Sequence, residues 1–482
     1  MSDADCANYG TTALVCALEM PPAVCRPASE FPIRVGMSAP ATGPSQDLGV
    51  EMRKGVLVAF DEANATGGIR GRQLQLDFRD DLYIPDNAEA NTRSLLDVHP
   101  DPSPARCTTS TTPPVVGQTP IGPNSLSRGP SAVIALLGNV GTPTMVRSAP
   151  IAVETGTLFF GALTGSKKVL RDGSANADCS RYIFNVRASY GQEARATLEY
   201  FFKQGVPDGK HILSFDQSDS FGQAGYDGIT TAYTALKGAV DMTPPEMQIQ
   251  RFRYTRDDVT SVPAQTASAS KYLASVLAQD TANHTIGIMC TGTYGPVSGF
   301  IQGIRNWQYT PNSDQAKRLT IEFSAVSFVG ANTLASRLQA AGTVMGPNGA
   351  LPYTDNVVVS QVVPNYFSDK SQIVARYKNA LATYGAGDSV VNSAEPSFNS
   401  LEGYIAATVF ISGLQLHQKA FTPKELISTF EGLSKDLGLG AASFTPTNHQ
   451  YLRSVWGTSL SADGKFNNRY YWVDGSTIQL FE

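Results

Sequence analysis

The segment Gly138-Asn139-Val140-Gly141-Thr142-Pro143-Thr144 follows an apolar run and opens a helical one. Backbone N–H groups at a helix start, joined by a threonine hydroxyl, can hold a carboxylate without any basic side chain. Four more polar segments stand in the same position after apolar runs: Gly161-Ala162-Leu163-Thr164-Gly165, Asp216-Gln217-Ser218-Asp219-Ser220-Phe221-Gly222, Thr291-Gly292-Thr293-Tyr294-Gly295 and Ser324-Ala325-Val326-Ser327-Phe328. One such segment alone reads as an ordinary helix cap. Five in series are what an open α/β sheet needs to recognise a ligand at the carboxyl ends of its strands.

Residues for catalysis are harder to find. The five histidines, His99, His211, His284, His417 and His449, have no metal-ligand spacing and form no HExxH. They read as ordinary surface or core residues. No Walker-type phosphate loop occurs, no GxGxxG follows a strand, and no GxSxG elbow is present. Neither a cofactor nor a metal is therefore expected. Asp80-Asp81 has the form of a carboxylate pair or cation site, but reads better as a solvated strand-end loop whose carboxylates cap the next turn.

The elements that must carry these segments alternate. Gly55, Val56, Val58, Ala59 and Ala63 recur at helical spacing, and Gly67-Gly68 stops that helix. Gly71-Arg72 turns the chain into Leu74–Phe78, which alternates like a strand, and Pro85 precedes a helix over 87–96. Strands are predicted at 33–38, 131–137, 157–160, 211–215, 285–289, 319–323 and 356–363, and helices at 194–202, 222–236, 297–306 and from 396 to 414. This order predicts parallel α/β sheets with helices on both faces. Residues 99–130, rich in Pro, Ser, Thr and Gly, read as an insertion without periodicity.

At 482 residues, with 42% hydrophobic and 16% charged residues, the chain has material for two or three globular domains. A formal charge of −5 gives no electrostatic case for nucleic acid as partner. No apolar run reaches about 18 residues, so no transmembrane helix is predicted. Thr11–Met20 is short, follows Asp3 and Asp5 and lacks a basic flank, so it does not read as a signal peptide. A mature, trimmed or recombinant form is expected. Of six cysteines, Cys6, Cys16 and Cys25 crowd a segment poor in regular structure, where a disulfide is expected. Cys290 reads as a free, packed thiol.

The motifs GGIRGR (67–72), FRDDLYIP (78–85), GNVGTPT (138–144), NVRASY (185–190), DSFGQAG (219–225), SFVG (327–330) and PSFNSLEGY (396–404) give the chain its resemblance. It resembles the type I periplasmic solute-binding proteins, the branched-chain amino acid-binding family of ABC importers, over most of 33–460. The resemblance implies an α/β fold with two Rossmann-like lobes of parallel sheet, joined by three hinge crossings near 182–187, 357–364 and 443–449. Lobe 1 would be 33–185 plus 365–445, lobe 2 186–364 plus 446–482, and 1–32 a cysteine-containing extension. It implies capture of a small carboxylate-bearing metabolite, an amino acid or related organic acid, between the lobes. Delivery to an ABC permease would follow, by a periplasmic or extracellular monomer, with anchoring through a removed N-terminal segment as an alternative. The implied ligand-binding residues are Asn139, Thr142, Ala162, Thr164, Tyr190, Phe221, Tyr294, Ser327 and Phe398. Thr142, Ala162 and Thr164 would meet the ligand carboxylate, and Phe221 would close over the ligand; a second aromatic of the family aligns with Thr293 or Tyr294. Where the family places an acid for the ligand ammonium, this chain has Ser327, so the carboxylate end is retained and an amino acid ligand is not assured. A sensor's ligand-binding domain is the second reading. A hydrolase is a distant third, because no nucleophile–base pair stands out.

Overall fold

In a computed structural model the chain is described over residues 14–16, 25–104, 124–167, 178–206, 211–237, 248–385, 394–419, 421–440 and 442–481. It divides into two compact units. Unit 1 is Met1–Arg187 with Lys370–Leu452, and unit 2 is Ala188–Asp369 with Arg453–Glu482. The chain thus passes from one unit to the other at 187/188, 369/370 and 452/453.

Unit 1 holds a five-stranded sheet in the order Leu74–Asp80, Ile33–Ala39, Ala135–Leu137, Leu158–Phe160, Ile183–Phe184, parallel throughout. Its inner strands are largely buried, as sheets covered on both faces require, while the edge strand Leu74–Asp80 alternates apolar and polar residues. The stretch from Ser131 is regular strand only over Ala135–Leu137. Its earlier part is held from the side instead: Val133 N–H donates to Leu95 and Ile134 N–H to Arg34. Helix Gln46–Ala65 ends as the glycines require. Gly67 and Gly68 have φ of +99° and +69°, and their N–H groups return to Asn64 and Ala63 in a Schellman pattern. Helix Phe398–Leu416 is buried along nearly its whole length, as an all-round apolar helix should be. It lies so close to Gln46–Ala65 that a Cβ on Gly55 would stand 1.9 Å from the Ser400 carbonyl.

The two described ends of the 99–130 insertion form regular structure. Val98–Pro104 and Asn124–Arg128 pair as an antiparallel ribbon, irregular between Pro100 and Pro104; the segment 105–123 lies outside the described residues. Leu14–Cys16 pairs antiparallel with Cys25–Pro27, and Cys16 stands opposite Cys25.

Unit 2 holds an eight-stranded sheet: Gln248–Tyr254, His211–Gln217, His284–Thr291, Leu319–Ala325, Val357–Gln361, Ser454–Leu460, Phe466–Val473, Gln479–Leu480. The first five are parallel. The last three add antiparallel strands at one side of the sheet, a feature the sequence reading did not include. The tail can do this because Ser461–Lys465 closes a tight hairpin: Gly464 adopts φ +82° and Lys465 carbonyl accepts from Ser461 N–H. Among the described residues no helix is long and apolar enough to cross a membrane.

Candidate functional site

In unit 1 the strand Ala135–Leu137 runs out into Gly138, at φ +75°, and Gly141, at φ +104°. A Cβ on Gly141 would meet the Tyr83 ring at 2.4 Å, so this turn needs glycine on two grounds. Helix Thr142–Glu154 starts immediately after it. Two backbone bonds tie the turn to the next strand end, Gly141 N–H to Leu163 and Leu163 N–H to Asn139. They bring Thr142 and Thr164 together with their hydroxyl oxygens 2.7 Å apart. Ser166 N–H donates to Thr164 Oγ1 and Asn185 Nδ2 to the Thr164 carbonyl. Two hydroxyls carry two protons, and their mutual bond uses one. The pair therefore keeps one proton to donate elsewhere.

Asn139 points the same way. Its Oδ1 accepts from Ser38 N–H, while its buried Nδ2 has no hydrogen-bond partner among the described residues. Such an orphan donor is costly unless something accepts from it. Ala162 lies buried alongside and lines a small void of ≈ 10 Å³ with Thr164, Ser166 and Asn185. The group offers donors: helix N–H groups, a threonine proton and an amide. Thr144 does not join it, because its hydroxyl is spent on the Gly141 carbonyl.

Phe398, also expected at the site, opens helix Phe398–Leu416 within a different network. Ser397 caps that helix through Ser400 N–H, and the Ser397 hydroxyl donates to Glu51.

In unit 2 the remaining candidates also sit beyond strand ends. A capping box at Ser189 and Gln192 starts helix Tyr190–Lys203. The Tyr190 ring lies 5.3 Å from that of Phe221, and Phe221 lies 4.7 Å from Phe328, so three aromatics form one wall. Asp219 caps Phe221 N–H and pairs with Arg256 at 3.0 Å; burial pushes its carboxyl above the usual range against the pull of Arg256. Tyr254 OH accepts from Thr293 N–H, fixing the start of the helix that carries Tyr294. The Arg337 guanidinium stands over the Tyr294 ring at 5.2 Å. Ser327 meets a residue the sequence reading passed over, Glu193, which is fully buried. Glu193 accepts from Ser327 N–H at 2.7 Å, Ser327 Oγ at 3.1 Å and Ser360 Oγ at 2.7 Å. A signal for it existed: the Ser189-x-x-Gln192 box moves the helix start to Tyr190 and puts Glu193 in its first turn.

The Asp80-Asp81 reading needs correction for one of its residues. Asp80 does cap its loop, accepting from Ala41 N–H, the Thr42 hydroxyl and Leu82 N–H. Asp81 is fully buried rather than solvated, because the Ser38 hydroxyl and Tyr83 N–H draw its carboxyl inward.

The five histidines have ordinary partners: Asp97 for His99, Tyr272 for His211, Asp280 for His284, Thr429 for His417 and the Ile183 carbonyl for His449. Cys290 is a free buried thiol whose pKa burial pushes up. A wider groove of ≈ 620 Å³ exists in unit 2, between helices Val262–Leu277 and Tyr294–Gln308. Its lining is mostly apolar helix flank, with few convergent polar groups to orient a ligand, so the strand-end residues make the better candidate site.

Residues 32–100 and 131–289 match the Periplasmic binding protein family. A possible leucine/isoleucine/valine-binding protein from Rhodopirellula baltica superimposes with a TM-score of 0.68 at 26% identity, covering 92% of this chain and 97% of that one. The fold is that of a type I periplasmic binding protein. A second protein of this fold, an ABC transporter solute-binding protein from R. palustris in complex with benzoate, matches with a TM-score of 0.63 at 16% identity, over 91% of this chain and 95% of that one. The Leu/Ile/Val-binding protein homolog 2 of Brucella abortus is 43% identical over 53 residues, 11% of this chain. That stretch spans only 14% of the relative's length. The type I periplasmic binding proteins are a substrate-binding family rather than an enzyme family.

Proposed function

We propose that the chain is an extracytoplasmic solute-binding protein that captures a small carboxylate-bearing metabolite and delivers it to an ABC importer. Thr142, Thr164, Ala162 and Asn139 of unit 1 would take the carboxylate. The observation that carries this reading is the spare proton of the Thr142–Thr164 pair beside a helix N-terminus, with an amide donor left unmet at Asn139 Nδ2. A carboxylate would accept from these unmet donors, and the N-terminus of helix Thr142–Glu154 favours its charge. Benzoate, in the R. palustris protein's complex, is an acid without an ammonium group. That supports a carboxylate, rather than a complete amino acid, as the group this site takes.

The test is mass spectrometry of solute released from natively purified protein, followed by a thermal-shift series of amino acids, organic acids and uncharged sugars. A saturating ligand at 100 times its Kd stabilises by about 2.7 kcal/mol. Shifts are expected from carboxylates alone; shifts from sugars and none from acids would refute the proposal.

A further inference from the structure

The groove between helices Val262–Leu277 and Tyr294–Gln308 lies wholly within unit 2 and holds ≈ 620 Å³, the size of a small-molecule pocket. Glycine opens it. Gly299 and Gly303, one turn apart, line it from the second helix. Packing requires Gly303, because a Cβ there would stand 2.7 Å from Thr266 Cγ2. Packing does not require Gly299, where a Cβ would meet nothing nearer than Val262 Cγ1 at 3.8 Å. Glycine inside a helix lowers its stability relative to alanine, so what glycine provides at 299 is the open space. The hydroxyls of the facing helix point to the same groove. Thr266 donates to the Val262 carbonyl, Ser268 to Ala264 and Ser275 to Tyr272, the usual way a helix absorbs such groups. Ser270 lines the groove, is only 7% exposed, and its Oγ has no hydrogen-bond partner among the described residues. A buried donor of this kind is costly until something accepts from it. Beside it Lys271 is exposed at the rim and makes no ion pair among the described residues.

We propose that this groove is a binding site separate from the strand-end residues, and that it takes a single-chain amphiphilic anion, a free medium-chain alkyl carboxylate. The chain would lie along Val262, Gly299 and Gly303, and the carboxylate would accept from Ser270 Oγ beside Lys271. The two ends of the groove set that direction. Asp257 and Asp258 precede Val259 at one end. Lys271 stands toward the other, roughly 13 Å along the helix from Val262 at 1.5 Å per residue. Trp307 lies level with Ser270, since each is one turn beyond the Thr266–Gly303 approach. The enclosed volume suits a small molecule rather than a protein partner, whose interface would spread over far more surface.

Calorimetry on the full chain with decanoate and decyltrimethylammonium, both below micelle-forming concentrations, tests this. Decanoate is expected to bind about tenfold tighter or more than the cation of the same chain, as one hydrogen bond to a charged group allows. Gly299→Leu fills the groove with little strain and should abolish decanoate binding while leaving the circular dichroism spectrum unchanged. Ser270→Ala should cut decanoate affinity about tenfold and leave the cation unaffected. Trp307 reports the orientation. Its fluorescence, taken as the difference from Trp307→Phe, should be quenched more by 2-bromodecanoate than by 10-bromodecanoate. Equal affinities for the two chains, or no binding of decanoate, would overturn the proposal. So would a Gly299→Leu protein that binds decanoate as the wild type does. Decanoate binding lost in Thr164→Val but kept in Gly299→Leu would put the acid at the strand ends instead. Ligand-free protein that dimerises in sedimentation, and stops doing so in Gly299→Leu, would give the groove to a second copy of the chain. Either result refutes the groove as an acid site.

Discussion

The hydroxyls of Thr142 and Thr164 stand 2.7 Å apart although the residues are 22 positions apart in sequence. One comes from a helix start and the other from the end of the next strand, so the contact reports how accurately the Gly138–Thr142 turn is built. Replacing Thr164 by valine keeps the shape and removes the shared proton. Solute affinity is expected to fall by roughly 1.5–3 kcal/mol, the range for a hydrogen bond to a charged group. Calorimetry on a protein with an unaltered Tm checks it, and equal affinities would remove Thr164 from the site.

Gly55 and Gly67 belong to one helix and its cap, yet they should respond very differently to alanine. A Cβ on Gly55 would lie 1.9 Å from the Ser400 carbonyl and 2.6 Å from Tyr404 N, both backbone atoms of a buried helix. Neither can yield without moving the helix, so Gly55→Ala is expected to cost roughly 3 kcal/mol or more. Gly67 has open space around it but φ of +99°, and alanine there should cost about 1–2 kcal/mol of backbone strain. Urea denaturation of both variants gives the comparison. Equal losses would mean that the helix pair repacks freely.

The fold was legible because its signals are local. The glycine pair at 67–68, the strand at 74–80 and the apolar runs before each polar segment depend on nearest neighbours, and the resemblance rests on the same motifs. The antiparallel strands of the tail were missed because Phe466–Val473 alternates exposed and buried residues at a sheet margin, where the continuous apolar run of a parallel strand is lost. The polar segments were found one by one, and their pairing was not: nothing in the sequence puts Thr142 on Thr164 or Glu193 under Ser327. Asp81 was misread for the same reason, because its burial depends on Ser38, 43 positions away.

Cys16 and Cys25 are opposite one another in the antiparallel pair Leu14–Cys16 and Cys25–Pro27. Directly opposed residues on neighbouring strands have their Cα atoms about 4.5–5.5 Å apart, within the span of a disulfide. Protein made in an oxidising compartment is expected to carry a Cys16–Cys25 bridge, with Cys290 reduced. Closing so short a loop should stabilise by less than about 3 kcal/mol. Peptide mapping without reductant tests it, and Cys16 recovered as a free thiol would rule the pairing out.

Asp80 and Asp81 are neighbours with opposite titration behaviour, which gives a pH signature. Burial pushes the Asp81 carboxyl up to about 7, against hydrogen bonds from Ser38 and Tyr83 and with the Asp80 charge adding to the rise. Burial also acts on Asp80, but donation from Ala41, Thr42 and Leu82 prevails and holds it below the usual range. A raised acid binds its proton more tightly folded than unfolded. The folded state thus carries the extra proton between about pH 4 and 7, and stability falls as pH rises through that window. Asp80 has the reverse sign: its contribution is complete above the unfolded carboxylate range and is lost only in acid. Between pH 5 and 8 the Asp81 effect should therefore stand clear of it. The expected loss is on the order of 2–4 kcal/mol, at 1.36 kcal/mol per pKa unit. Asp81→Asn removes the titration while keeping the shape, so its stability relative to wild type should grow from pH 5 to pH 8 and level off above. Denaturant midpoints measured across that range decide it. A constant difference would mean that Asp81 is ionised throughout, with water or a cation reaching its carboxylate.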